Sequence, residues 1–215
     1  MSIPKSPKPA KLIIGLFMKE NGLFDPLVKE LSEQFDVIDL VSSWLSFDYT
    51  NYYEAEMGAP LFRRLLAFKK LIKQNDLVRI KDITNNLELK YSKNGKRMVN
   101  IDPGYMLHER FVLATGKNYT HRIYIGKGIY ADLTLIYTNG AFQKLPWTYP
   151  DYTDKNILAY LEHVRNKYIA DLKQNPFSDN DSCREKHIMS MTNKNVVIQP
   201  RRHQDTKKKK NKLQH

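Results

Sequence analysis

Cysteine is almost missing from this chain: Cys183 is the single one among 215 residues. One thiol forms no intrachain disulfide and supplies no multi-cysteine zinc or iron–sulfur site. In its polar surroundings it is read as incidental. Long apolar runs are missing too. The run at residues 12–16 is typical of their length, against the roughly 20 residues needed to span a bilayer. Residues 1–11 alternate Pro and Lys, with no apolar core or small-residue cleavage site. No membrane span and no secretory signal are therefore expected, and the expected location is cytoplasmic. Phosphate-cradling glycine loops are also lacking. Gly95-Lys96, Gly116-Lys117 and Gly126-Lys127 have neither the preceding glycine nor the following hydroxyl of a Gly-x-x-x-x-Gly-Lys-Ser/Thr loop. Asn193-Lys194-Asn195 lacks the aspartate of a guanine-reading loop, so a conventional GTPase is disfavoured.

What is present is ordinary globular material: 41% hydrophobic and 27% charged residues, enough to build a core. The net charge of +12 is unevenly spread. Residues 178–215 hold ten Lys or Arg against four acids, half of the whole excess. Charge placed in a periodicity-free tail speaks of solvation or nucleic-acid contact and not of the fold. The expected organisation is a flexible arm at residues 1–10, one α+β domain at 11–177, and a basic, disordered tail at 178–215.

The domain opens in a βαβ-like way. Residues 11–17 suit a buried strand, residues 25–34 a helix with Leu27, Val28 and Leu31 inward, and residues 37–41 a second strand that 44–47 continue after a break. Two central helices are expected next. The first follows Pro60, with Leu61, Leu65, Phe68 and Ile72 inward and Arg63, Arg64, Lys69, Lys70 and Lys73 forming a basic outer face. The second covers residues 76–90, with Asn75 as its cap. Beyond Asn94-Gly95 the pattern turns to strands at 98–101, 110–114, 121–125, 129–137 and 142–145, joined by Gly126-Lys127-Gly128 and Asn139-Gly140. These are hairpin signals, so an antiparallel sheet of hairpins fills the second half. A C-terminal helix fits residues 154–172, with Ile157, Leu161, Val164 and Tyr168 on one face.

Chemistry-bearing residues concentrate between Arg97 and Leu135. Lys81, Asn85 and Glu88 stand at i, i+4 and i+7, one stripe of the second central helix. Such a stripe could offer an ammonium, an amide and a carboxylate to a ligand, or be a solvated face. Asp102-Pro103-Gly104 reads as a turn whose aspartate either caps it or serves as a general base or metal ligand. Lys117, His121 and Arg122 put a point charge, a titratable ring and a bidentate fork within six positions, the groups that recognise phosphate. In a regular strand His121 and Arg122 point to opposite faces. Asp132, mid-strand, needs a partner on its half-buried face, and a structural ion pair with Arg122 across the hairpin would provide one. Asp48, Glu54 and Glu56 match no calcium-loop spacing, and neither a metal nor a cofactor is assigned.

Several of these stretches carry a resemblance. Phe47-Asp48-Tyr49, Tyr53-Glu54, Glu56-Met57-Gly58, Ile80-Lys81, Thr84-Asn85, Leu87-Glu88, the stretch 99–105, Val112-Leu113-Ala114-Thr115, His121-Arg122-Ile123-Tyr124 and the stretch 146–152 occur in order. Together they resemble a bacterial family of uncharacterised proteins catalogued as domain of unknown function 4416. The resemblance covers residues 11–169 and implies no established activity.

Two expectations follow. In the first, a pocket takes a phosphorylated or otherwise anionic small molecule, nucleotide-like ones included. Lys81, Lys117 and Arg122 neutralise it, Asn85 and Asp132 help to bind it, and His121 with Asp102 or Glu88 moves protons if there is chemistry. An unperturbed histidine, titrating near 6.5, suits that work. In the second, the chain is a basic module that contacts RNA or the ribosome through the tail and the cationic face at residues 63–73, without catalysis. Whether the protein is an enzyme is left open.

Overall fold

The longest fully buried strand is β1 (Ala10–Met18), every residue of which is buried. Its alternate side chains feed two cores, as strand geometry dictates. Leu12, Ile14, Leu16 and Met18 pack under α1 (Phe24–Phe35), joined there by Ile80 and Leu87 of α3 (Leu77–Lys90). Ile13 faces the other way, toward Ile157, Leu161 and Val164 of α4 (Lys155–Gln174). The result is a three-layer α+β sandwich with the sheet in the middle. Each apolar side chain buried there contributes on the order of 1.5–3 kcal/mol. The structure, a computed structural model, describes residues 2–174. The expected basic tail at 178–215 and Cys183 lie outside the described residues.

The remaining strands are β2 (Ile38–Val41), β3 (Leu45–Phe47), β4 (Leu61–Ile72), β5 (Ser92–Lys93), β6 (Lys96–Arg97), β7 (Val99–Met106), β8 (Arg110–Thr115), β9 (Arg122–Gly126), β10 (Ile129–Thr138) and β11 (Ala141–Lys144). The main sheet runs β11-β10-β8-β7-β1-β4-β2, with β3 added on β4 and β9 on β10. All of its pairings are antiparallel. The βαβ-like opening is present in split form. β1 and β2 both run antiparallel to β4 and so parallel to each other, with β4 inserted between them. β5 and β6 form a separate hairpin across Asn94 (φ 53°) and Gly95 (φ 73°), and Asn139 (φ 52°) and Gly140 (φ 80°) turn β10 into β11. Positive φ at both central residues suits the twist of a tight hairpin. Among the described residues no helix is long and apolar enough to cross a membrane.

The expected helix after Pro60 is corrected: residues 61–72 are the strand β4. Leu65, Leu66, Ala67 and Phe68 are consecutive and all buried, because this strand has β1 on one side, β2 and β3 on the other, and helices over both faces. A strand covered on both faces reads as a nearly continuous apolar run, which helical spacing also matches. The cationic face is divided: Lys69, Lys70 and Lys73 stay exposed, and the two arginines do not. Arg63 is only 3% exposed. Arg64 donates to the Ser42 carbonyl at 2.8 Å and lies over the Phe24 and Trp44 rings. The short helix α2 (Glu54–Met57) precedes β4 instead.

A second correction concerns Asp102-Pro103-Gly104, which is not a turn but the middle of β7, opposite Ile13, Ile14 and Gly15. Pro103 is tolerated because β8 begins to pair only at Gly104. Gly104 is required by close approach: a Cβ there would stand 2.5 Å from the Val112 carbonyl oxygen. A smaller difference is that the start of α3 is prepared by a single 3-10 turn, Gln74–Asp76, in which Asp76 and not Asn75 holds the Lys73 backbone N–H.

Candidate functional site

On the face of the sheet that carries α4, charged side chains replace the apolar stripe. Arg63 of β4, Asp102 of β7 and Asp132 of β10 face this side around Gly15, where β1 has no side chain at all. A Cβ on Gly15 would lie 3.3 Å from both Arg63 Nη2 and Tyr152 Oη. Tyr152 belongs to the 3-10 turn Pro150–Thr153, which seats Asp151 and Tyr152 in the core. Asp151 forms a buried ion pair with Arg63, and the guanidinium lies 4.3 Å from the Tyr152 ring centroid. Burial pushes the Tyr152 phenol up to about 12, opposed by Arg63 and reinforced by Asp102 and then Asp132. Three buried polar atoms of this face, Arg63 Nε, Tyr152 Oη and His121 Nε2, make no well-aligned hydrogen bond.

Beside this centre stands a ladder of rings and guanidinium. The His121 ring lies 5.0 Å from Trp147, nearly parallel at 11°, and 6.1 Å from Tyr119. Arg122 lies over Tyr119 at 4.7 Å and Tyr149 at 5.9 Å. Tyr119, Trp147 and Tyr149 are also exposed to solvent, as are Tyr49 and Tyr52. Exposed rings gathered at one place are a more informative sign than scattered ones. Lys117 donates to the Tyr52 hydroxyl at 3.2 Å and lies 4.3 Å from its ring centroid. Tyr52 in turn packs edge-on against Tyr53. The Tyr53 phenol is raised first by burial and then by the charge of Asp102, which ties this wall to the centre.

His121 and Arg122 do not point to opposite faces. His121 sits in a turn closed by the Arg122 N–H on the Tyr119 carbonyl, and β9 begins only at Arg122. Both side chains therefore reach Asp132: Arg122 Nε at 2.8 Å and His121 Nε2 at 3.3 Å from the same Oδ2. The cross-hairpin Arg122–Asp132 pair is present, with both side chains 3% exposed. Arg122 is further fixed by the Lys117 carbonyl at 3.0 Å and the Tyr149 hydroxyl at 2.6 Å.

The α3 stripe is turned inward. Lys81 donates to the Ile101 carbonyl at 3.0 Å, and Glu88 accepts the Ile101 N–H at 2.6 Å. One residue of β7 is thus held by two side chains of α3, where β8 does not reach. A buried backbone edge needs such partners. Asn85 is half-buried between them on the same helix. Lys81 Nζ also lies 3.8 Å from Asp102 Oδ1, whose other oxygen accepts from Asn100 at 2.7 Å. Asn100 accepts from Arg97, which binds Glu56 through two nitrogens and reaches Glu88 at 3.2 Å. Burial pushes the Glu88 carboxyl up, against the pull of Lys81 and the Ile101 N–H.

The structure thus brings Lys117, His121, Arg122 and Asp132 together and sets Asp102 across Tyr152 from them. It ties Lys81 and Glu88 to backbone, with Asn85 beside them. Sequence reasoning missed Arg63, Asp151, Tyr152, Tyr149 and Gly15. The aromatic run 147–152 is the sequence signal for Tyr149, Asp151 and Tyr152; Gly15 has none, and Arg63 reads as part of a basic helix face. Among the described residues no cluster of His, Cys, Asp and Glu has the geometry to hold a metal ion.

The stretches that form this face, at 48–58, 99–105, 117–122 and 147–152, lie within residues 8–168, which match one family model. The chain belongs to the family described as domain of unknown function DUF4416. No curated protein and no solved structure matches it. Family membership carries no activity here, so the chemistry of this face must be argued from its residues.

Proposed function

We propose that the cleft bounded by Tyr52, Lys117, Tyr119, Trp147 and Tyr149 binds a small anionic molecule, and that a phosphorylated, nucleotide-like one fits it best. The observation that carries this is the pairing of solvent-facing rings with Lys117. No carboxylate lies within ion-pair reach of that ammonium among the described residues, whereas Arg63, Arg97 and Arg122 each have a carboxylate partner. A ring-lined wall accepts a planar group at small cost in ordering, because the His121 and Arg122 stacking already holds it rigid. Lys117 then supplies the point charge for a phosphate.

The alternative is a basic RNA-binding module: of the surface expected at residues 63–73, Arg63 is buried and Arg64 half-buried, while Lys69, Lys70 and Lys73 remain exposed. The test is a thermal-shift screen of the full chain against mononucleotides, sugar phosphates and inorganic phosphate. A ligand at about ten times its dissociation constant adds roughly 1.4 kcal/mol, a shift of about 3–6 °C at this size. Lys117→Ala abolishes the shift while leaving the unliganded melting point in place. A panel without any shift overturns the reading, and steep salt dependence of RNA binding would favour the module instead.

A further inference from the structure

Arg122 and Asp132 are accounted for by their own pair together with the Lys117 carbonyl, the Tyr149 hydroxyl and Thr134, which leaves His121 unexplained. Its ring stacks on Trp147 at 5.0 Å with the Tyr119 ring 6.1 Å away, and its buried Nε2 lies 3.3 Å from a carboxylate already paired with an arginine. Asp132 cannot swing away, since Arg122 and Thr134 hold it in the sheet. With Nε2 committed inward and the side chain still 15% exposed, Nδ1 is the nitrogen left to meet a ligand. The groups facing the ring are Asp132 from β10, Arg122 from the adjoining strand, and the uncharged rings of Tyr119 and Trp147. A titratable ring oriented by a fixed carboxylate is the arrangement that general acid–base catalysis requires.

Resting on the binding reading above, we propose that His121 and Asp132 form an acid–base dyad, and that the cleft hydrolyses a phosphate ester in the molecule it binds. Water adds to phosphorus as the ester P–O bond breaks. The leaving oxygen takes the Nδ1 proton of the imidazolium and departs as an alcohol. The proton lost by the attacking water recharges the ring through solvent, so one ester and one water give one alcohol and one inorganic phosphate. Asp132 is a positioning residue: its Oδ2 faces Nε2 at 3.3 Å and leaves Nδ1 toward the ligand. Lys117 neutralises the phosphoryl oxygens.

The experiment measures phosphate release by the full chain from p-nitrophenyl phosphate, mononucleotides and sugar phosphates, with Trp147 fluorescence followed in parallel in a Trp44→Phe background. Turnover is expected. His121→Gln should lower kcat by about 100-fold or more with KM within threefold, and added imidazole should partly restore His121→Ala. Rescue by imidazole is an outcome that a merely structural histidine does not give. Histidine 15N spectra, with His121 assigned by its loss in His121→Gln, should show the Nε2–H tautomer, a preference that Asp132→Asn removes. A fluorescence change without phosphate release from any probe overturns the dyad and leaves the binding reading standing, as does an unchanged rate in His121→Gln. An Nδ1–H tautomer also overturns the dyad. Absence of any fluorescence change or thermal shift overturns the binding reading itself.

Discussion

Glu56 and Glu88 share one guanidinium, that of Arg97, and are displaced in opposite directions from the ordinary carboxylate range. Glu56 takes two Arg97 nitrogens and is held low mainly by those hydrogen bonds. Glu88 is the deeper of the two, and burial pushes it up despite Lys81, the Ile101 N–H and Arg97. The same cation therefore serves as a strong partner on the surface and a partial one beneath it.

The two carboxylates should leave opposite marks on the acid limb of stability. A depressed folded value means that Glu56 stabilises above its unfolded value of 4.5 and loses that contribution as pH falls through the folded one. Glu56→Gln should therefore show a shallower fall in urea midpoint below about pH 5. Glu88, raised in the fold, contributes below its unfolded value of 4.5 and loses that as pH rises through the folded one. Glu88→Gln lacks the gain on acidification, so its acid limb should be steeper than that of the wild type.

Breaking the Arg63–Asp151 pair should cost far more than removing it whole. Asp151→Ala leaves an uncompensated buried guanidinium, a loss of about 3–5 kcal/mol. Arg63→Met alone strands the carboxylate at similar cost. The double variant Arg63→Met with Asp151→Ala should lose clearly less than the sum, as read by chemical denaturation in a double-mutant cycle. Additive losses would show that the two side chains are not coupled.

Lys11 is a fully buried lysine that bonds Asp39 and, at 2.7 Å, Asp171, so it fastens β1 to α4 and to β2. Lys11→Met keeps the volume but leaves two carboxylates without their shared cation. A loss of about 3–5 kcal/mol is expected in the denaturation midpoint. Lys167, which also reaches both acids, limits that loss.

Gly104→Ala places a methyl against the Val112 carbonyl, a backbone atom that cannot turn aside. The strands must separate, at about 1–3 kcal/mol or more. Gly22→Ala meets nothing within 4 Å and should stay within about 0.5 kcal/mol. The difference in melting temperature between the two variants checks the packing of β7 on β8.

Where local periodicity and burial agree, the fold was legible. Leu27 and Leu31 of α1, and Ile157, Leu161, Val164 and Tyr168 of α4, are buried as their spacing implies. The last four strands lie within one residue of their expected ends, because turn chemistry such as that at Asn139-Gly140 is local, whereas β7 runs on to Met106 through the expected turn. β4 was illegible for a tertiary reason: a buried arginine with a distant carboxylate partner looks like a solvated one in sequence. Pro103 and Gly104 look like a turn for the same reason, since the missing β8 partner and the close Val112 carbonyl are set by other strands. In the cleft, Arg122 and Asp132 could be matched across one hairpin. Arg63, Asp102 and Tyr152 come from separate elements and meet only because the sheet order brings them to Gly15.

The insertion of β4 between β1 and β2 governs when the protein can begin to fold. β1 finds its first neighbour in β4, where Ala10 pairs with Ile72, and its second in β7, where Lys11 pairs with Met106. A nascent chain that has displayed only residues 1–60 therefore holds strands with no partners and a helix with no surface to cover. It stays unfolded until the middle of the sequence has emerged, and closure of these long spans sets the pace of folding.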